Sequence, residues 1–154
     1  MVLWIHQILW ILTGIYFSAA AWADRRSKTI PVKLAGSFGA AACVGRLVLF
    51  LFQKNLDIPD FLLSLLPGAV VLMFGLATRQ AAGYGDGLSL LFGGIALGAS
   101  SICAIALTGF ALCAIWGMGE MILKKTSAKE KLAFLPFLAI GYYLELGGIL
   151  LEMI

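Results

Sequence analysis

Five ionisable residues stand inside or at the ends of long apolar stretches, where charged groups are costly and commonly have a function or a partner. They are Asp24, Arg46, Asp86, Glu120 and Glu145. The two aspartates offer the most chemistry, because neighbouring carboxyls repel each other's charge and share one proton between them. The ionised member of such a dyad takes a proton from water, and the protonated member polarises a carbonyl for attack.

Asp86 lies in the segment Gly83-Tyr84-Gly85-Asp86-Gly87. Each glycine costs a helix about 1 kcal/mol relative to alanine, so three in five residues suggest close approach of another backbone or of an extended substrate. The segment lacks the Lys-Ser/Thr pair of a P-loop and the strand context of a dinucleotide fingerprint. A structural alternative is that Asp86 only favours a helix N-terminus and that Asp24 is an interfacial charge among arginines.

The other ionisable residues favour structural roles. Arg46 and Glu145 each lie 12 or 13 residues into a helix that is predicted to run from the cytoplasm to the outside. They should therefore lie at similar depth, and a buried ion pair between them is predicted. Snorkelling, other partners or a transport role remain alternatives. Glu120 precedes Lys124 by four residues, which predicts a surface pair on one helix.

The composition requires lipid as the solvent for most of the chain. Of 154 residues, 62% are hydrophobic and 12% are charged, with a mean hydropathy of +1.00. Soluble domains are about half apolar and about a quarter charged. We expect one membrane-embedded domain over residues 1–154. Basic residues punctuate the apolar runs instead of forming a face, which argues against nucleic-acid binding. The three cysteines lack paired spacing, so no metal site and no cofactor are expected.

A membrane-spanning helix needs about 20 mostly apolar residues. Four stretches of the sequence fit directly, and they are residues 3–22, 34–53, 60–77 and 133–153. The first is long for a signal-peptide core, and we interpret it as a retained anchor.

The segment from Leu88 to Leu123 would be about 50 Å long as one helix, against a hydrocarbon core of about 30 Å. Two helices with a turn near residues 98–101 fit better, the first starting near Ala82. The basic segments 25–33 and 124–131 then both face the cytoplasm, as the positive-inside rule demands. The sequence therefore predicts an all-α polytopic bundle of six transmembrane helices with both termini outside.

On this topology Asp24 ends the first span and Asp86 opens the fourth at the same, cytoplasmic face. The segment Asp24-Arg25-Arg26-Ser27-Lys28-Thr29-Ile30-Pro31 resembles the first signature of type IV prepilin peptidases. Gly83-Tyr84-Gly85-Asp86 is similar to their GxGD signature, and Leu135-Pro136-Phe137-Leu138 resembles the Pro-Phe-Leu that enters their last span. The order, spacing and sidedness of the three motifs agree over nearly the whole chain.

This resemblance implies a multi-pass aspartyl endopeptidase of the cell membrane whose active site faces the cytoplasm. Such enzymes remove a basic leader from prepilins or pseudopilins of type IV pilus and protein-secretion systems, typically just after a glycine. Asp24 and Asp86 are implied as the catalytic pair. The residues implied to bind substrate or shape the site are Ile30, Pro31, Gly83, Gly85 and Pro136.

Two positions depart from the family pattern: Val32 replaces the asparagine that follows Ile-Pro, and Leu88 replaces a lysine found in many members. The chain resembles the short, peptidase-only form, so N-methylation is not expected. One alternative is a protease of the same chemistry acting on another leader peptide or small membrane protein. Another is a non-enzymatic transporter or assembly subunit that uses Arg46 and Glu145. The sequence gives no expectation for the oligomeric state.

Overall fold

Six helices account for almost all of the structure, a computed structural model that describes residues 2–27, 32–53, 57–77, 84–124 and 133–152. The helices are α1 (Val2–Ser27), α2 (Val32–Gln53), α3 (Ile58–Ala77), α4 (Tyr84–Leu97), α5 (Ala99–Lys124) and α6 (Leu135–Glu152). The predicted all-α class is confirmed, as is the division of the segment between Leu88 and Leu123 into two helices.

Four of these helices, α1, α2, α3 and α5, are long and apolar enough to cross a membrane. The helices α4 and α6 are apolar but shorter, and the 14 residues of α4 span about 21 Å. Large apolar side chains cover the outside of the bundle, as Ile122 and Leu123 illustrate with 79% and 84% exposure. Such a surface suits lipid and would be a liability in water. Six spans with both termini outside stay a prediction.

The connection between α4 and α5 is the single residue Gly98. Its φ of +89° is a conformation that only glycine adopts readily. The Gly98 N–H still donates to the Gly94 carbonyl at 2.9 Å, and α5 starts at the next residue. The turn predicted near residues 98–101 is therefore confirmed, and it is tighter than expected. The predicted start of the fourth span near Ala82 lies outside the described residues.

Helix α4 is the centre of the bundle and packs against α1, α2, α3 and α5. Its contact with α3 is especially close, because the backbones of the two helices touch each other. A Cβ on Gly94 would overlap the Ser64 carbonyl, and a Cβ on Gly68 would lie 2.6 Å from the Leu91 Cα. In membrane proteins small residues let helices approach in this way, and dispersion contacts then hold such a pair together.

The predicted ion pair between Arg46 and Glu145 is wrong. Arg46 binds Asp60 instead, with the Arg46 Nη2 3.2 Å from the Asp60 Oδ2. The other carboxylate oxygen of Asp60 accepts the Ala99 N–H at 3.2 Å, one of the backbone donors that the start of α5 leaves without a helical acceptor. The equal depth of Arg46 and Glu145 was insufficient, since the first turn of α3 brings a nearer carboxylate. The predicted pair of Glu120 with Lys124 stays a prediction, because the Lys124 side chain lies outside the part of the structure that is described.

Asp60→Ala is expected to destabilise the bundle by about 1–2 kcal/mol, because both Arg46 and the Ala99 N–H lose their partner. Asp60→Asn retains an acceptor for Ala99 and should lose roughly half as much. Thermal unfolding of the purified protein in detergent measures both changes. Equal melting temperatures for the two variants would show that the cap on α5 contributes nothing.

The direction of α2 relative to α1 follows from two contacts. The Leu9 side chain lies over Gly45, and the Tyr16 ring stacks on Phe38 with centroids 4.1 Å apart. A later residue of α1 thus meets an earlier residue of α2, so the two helices are antiparallel.

The direction of α4 follows in the same way. The Phe92 ring lies over Gly39, and Asp60 joins Arg46 to Ala99. The earlier residue of α2 meets the earlier of the two counterparts, and the later residue meets the later one. Helices α2 and α4 are therefore parallel. Helix α4 is therefore antiparallel to α1, which brings the carboxyl end of α1 and the amino end of α4 to the same end of the bundle.

Candidate active site

Asp24 lies at the carboxyl end of α1 on the face that packs into the bundle. Thr13, Phe17 and Ala20 precede it at helical spacing and are fully buried, and Asp24 itself is 7% exposed. Residues at this spacing lie on one face of a helix, and Asp24 is buried because it continues that face. A carboxyl in that position needs polar partners inside the protein.

One partner is the start of α6. The Asp24 Oδ2 accepts the backbone N–H of Leu135 at 3.3 Å. Leu135 is the first residue of α6, where backbone N–H groups lack helical acceptors and the helix dipole attracts negative charge. Pro136 follows in the first turn, where its missing N–H costs nothing. The first and third motifs of the sequence therefore meet in space, with Asp24 oriented by α6.

Asp86 lies in the first turn of α4 and is half-buried. Its charge acts on the Tyr16 hydroxyl of α1 and on the Cys113 thiol of α5. Asp86 therefore lies near enough to α1 and α5 for its charge to act on groups of both helices.

Two contacts fix how far apart the two acids lie along the bundle. The Phe17 ring lies against Gly93, 3.2 Å from where a Cβ would stand. Asp24 follows Phe17 by seven residues, and Asp86 precedes Gly93 by seven. Seven residues are two turns, about 10 Å, and return to the same helix face. In antiparallel helices both steps lead to the same end, so this contact places the two acids at one level.

The second contact is the hydrogen bond of 2.6 Å between the Tyr16 hydroxyl and Ser89 Oγ. Asp24 lies eight residues beyond Tyr16, and Asp86 lies three residues before Ser89. This contact gives an offset of about 7 Å between the two acids along the bundle. From the two contacts together, that offset lies between zero and one and a half helical turns. Helical side chains point back towards the N-terminus of their helix. In the second estimate Asp24 lies nearer the end of the bundle than Asp86, so the two carboxyls lean towards each other and the offset shortens.

The remaining predicted site residues divide into two groups. Gly85 and Pro136 lie beside Asp86 and the Asp24 partner Leu135, at the same end of the bundle. Ile30, Pro31 and Gly83 lie outside the described residues.

Leu88 and Val32 are the two positions that depart from the signatures quoted above. Leu88 is half-buried in α4, and Val32 starts α2. Among the described residues, no three of the types His, Cys, Asp and Glu come close enough together to hold a metal ion.

Nothing in the sequence alone had assigned a role to Tyr16, Ser89 or Asp60. Tyr16 and Ser89 stand inside apolar runs and carry no charge, so composition gives them no weight. The spacing of Ser89, three residues after Asp86, was a usable signal, because it puts both on one face of α4. The chain matches no protein-family model, no curated protein and no solved structure.

Proposed function

We propose that this protein is a membrane aspartyl endopeptidase of the GxGD type that removes the basic leader from prepilin-like or pseudopilin-like precursors. The observation that supports the proposal best is the placement of Asp24 and Asp86. They lie on adjacent antiparallel helices, at the same end of the bundle, two turns from the Phe17–Gly93 contact.

The surroundings of the two carboxyls suit acid-dyad chemistry. Asp24 is buried, and its Oδ2 is held by the Leu135 N–H. Asp86 is half-buried in the first turn of α4, and Gly87 beside it lets this turn pack closely on Leu72 of α3. One carboxylate would activate water, and the protonated partner would polarise the scissile carbonyl.

The position of the acids at helix ends suits a precursor with a basic leader and an apolar helix. The leader stays in the cytoplasm because basic residues resist transfer across the membrane, while the apolar helix lies in the bilayer. The bond between them falls at the interface. On the predicted topology, the carboxyl end of α1 and the amino end of α4 lie at that depth.

The non-enzymatic alternative relied on Arg46 and Glu145 as working residues. Arg46 is engaged by Asp60 in a bridge that also caps α5. A structural role explains that contact without transport, so the protease proposal is preferred.

The test is cleavage of a defined precursor. The probe carries a short basic leader that ends in glycine, followed by about 20 apolar residues, and is co-expressed with the protein in membranes. The expected result is a smaller product whose mass shows one cut directly after the glycine. A probe with the glycine replaced by leucine is the control and should stay intact. An uncut glycine probe, together with uncut pilin-like precursors from the same genome, would contradict the proposed substrate.

A further inference from the structure

A buried hydroxyl chain links α1 to the backbone next to Asp86. Tyr16 is 3% exposed, and its ring stacks on Phe38 of α2 at an interplanar angle of 6°. Its hydroxyl lies 2.6 Å from the Oγ of Ser89, which is fully buried. The Ser89 Oγ in turn lies 2.7 Å from the Gly85 carbonyl oxygen. Gly85 directly precedes Asp86.

The direction of the chain follows from the number of hydrogens. A serine hydroxyl has one hydrogen, and that of Ser89 is donated to the Gly85 carbonyl, which has no hydrogen of its own. Tyr16 must therefore donate to Ser89. The chain runs from the Tyr16 hydroxyl through Ser89 to the carbonyl of Gly85, and every member of it is satisfied.

The hydroxyl of Tyr16 needs a reason beyond packing. A phenylalanine would stack on Phe38 equally well without the cost of taking a hydroxyl out of water. Close packing of Gly87 on Leu72 ties the first turn of α4 to α3. The hydroxyl chain ties the same turn to α1, the helix that carries Asp24.

We propose that Tyr16, acting through Ser89, is a positioning residue that fixes Asp86 relative to Asp24. This inference rests on the proposed endopeptidase function. The expected consequence concerns the chemical step, because misplacing a reacting group by about 1 Å can cost about 100-fold in rate. Binding of the precursor, which involves its leader and its apolar helix, should change little.

The experiment measures kcat and KM for the glycine-containing precursor with Tyr16→Phe, Ser89→Ala and the double variant. The matched control is Tyr142→Phe. Tyr142 is 2% exposed, and its hydroxyl donates to the Trp10 carbonyl at 2.6 Å, so this change also deletes a buried hydroxyl that joins α1 to another helix. Thermal unfolding in detergent is recorded for all four proteins.

Both single variants should lower kcat about 10- to 100-fold and leave KM within about twofold of wild type. The double variant should lose no more than the worse single variant, because both substitutions break one chain. Tyr142→Phe should lower the melting temperature to a similar degree while keeping kcat. If Tyr16→Phe fails to fold, Ser89→Ala, which breaks the same hydroxyl chain from α4, decides alone.

Unchanged kcat in the folded variants, or an equal loss in Tyr142→Phe, would overturn the positioning role. The proposed function would survive that result if Asp24→Asn and Asp86→Asn are inactive. Activity in those two aspartate variants would overturn the function itself, whatever Tyr16→Phe does.

Discussion

Asp24→Asn and Asp86→Asn are each expected to lower precursor cleavage by at least about 10³-fold. An amide neither takes a proton from water nor donates one to a carbonyl as an acid, so either substitution removes one half of the proposed dyad. When two residues act as a unit, removing either one already abolishes most of the rate enhancement that the two provide together. The double variant should therefore be no less active than the single ones. The measurement is the rate of product formation from the glycine-containing precursor at matched amounts of folded protein.

Asparagine is the substitution of choice at position 24 because of the contact with α6. Its carbonyl oxygen retains an acceptor for the Leu135 N–H, which the Asp24 Oδ2 accepts at 3.3 Å. Alanine would remove that acceptor together with the acid, and a loss of activity would then be ambiguous. With asparagine at either position, the melting temperature should stay close to that of wild type.

Asp60→Asn is the matched control for both variants. Asp60 is also a half-buried aspartate in the first turn of a helix, and it also binds a helix N-terminus, through the Ala99 N–H. It lies at the opposite end of the bundle, so cleavage should persist despite some loss of stability. Cleavage at the wild-type rate by Asp24→Asn or Asp86→Asn would exclude the dyad. Loss of cleavage in Asp60→Asn alone would move the search for the site to the other end.

Gly94→Ala is expected to cause the largest loss of stability of any single methyl addition in α4. The new Cβ would overlap the carbonyl of Ser64, which belongs to the backbone of α3 and cannot rotate away as a side chain can. The helices must separate, and the close contact along Gly68 and Gly94 weakens as a whole. We expect a loss of about 3 kcal/mol or more. Denaturant titration of the protein in detergent, followed by circular dichroism, measures the loss.

The matched control is Gly36→Ala in α2, where a Cβ would meet nothing within 4 Å. Alanine favours a helix over glycine by about 1 kcal/mol, so this variant should be as stable as wild type or slightly more stable. Gly94→Ala should also lower cleavage, because α4 carries Asp86. Equal stability of Gly94→Ala and Gly36→Ala would show that α3 and α4 do not depend on backbone contact.

Much of the fold was predictable because its signals are local. Apolar runs of about 20 residues predict helices wherever they occur, and the length of the segment from Leu88 to Leu123 excludes a single span. The turn near residues 98–101 was predictable from that length, whereas the choice of Gly98 over Gly93 and Gly94, which stay helical, was not. The approximate positions of the helices followed from composition, although α1 extends to Ser27, beyond the predicted span 3–22. The neighbours of each helix did not follow from it.

The ion pair shows where prediction by depth fails. Arg46 and Glu145 were matched because they lie equally far into their helices. The structure instead pairs Arg46 with Asp60 at 3.2 Å, because α3 packs on α4, the neighbour of α2, and its first turn brings Asp60 within reach. Equal depth restricts partners to one layer of the bundle. Which residue within that layer is the partner depends on helix order and rotation, which are set by packing.

The sequence by itself determined that Asp24 and Asp86 lie at helix ends and that glycines surround the second of them. Residue type and local spacing suffice for this, because helix ends are set by nearby polar residues and glycines. Only the tertiary structure decided that α1 and α4 are adjacent and antiparallel, that the Leu135 N–H binds Asp24, and that Tyr16 and Ser89 tie Gly85 to α1. These contacts join residues up to 111 positions apart. They depend on which small and large side chains interlock across helices, and no single segment contains that information.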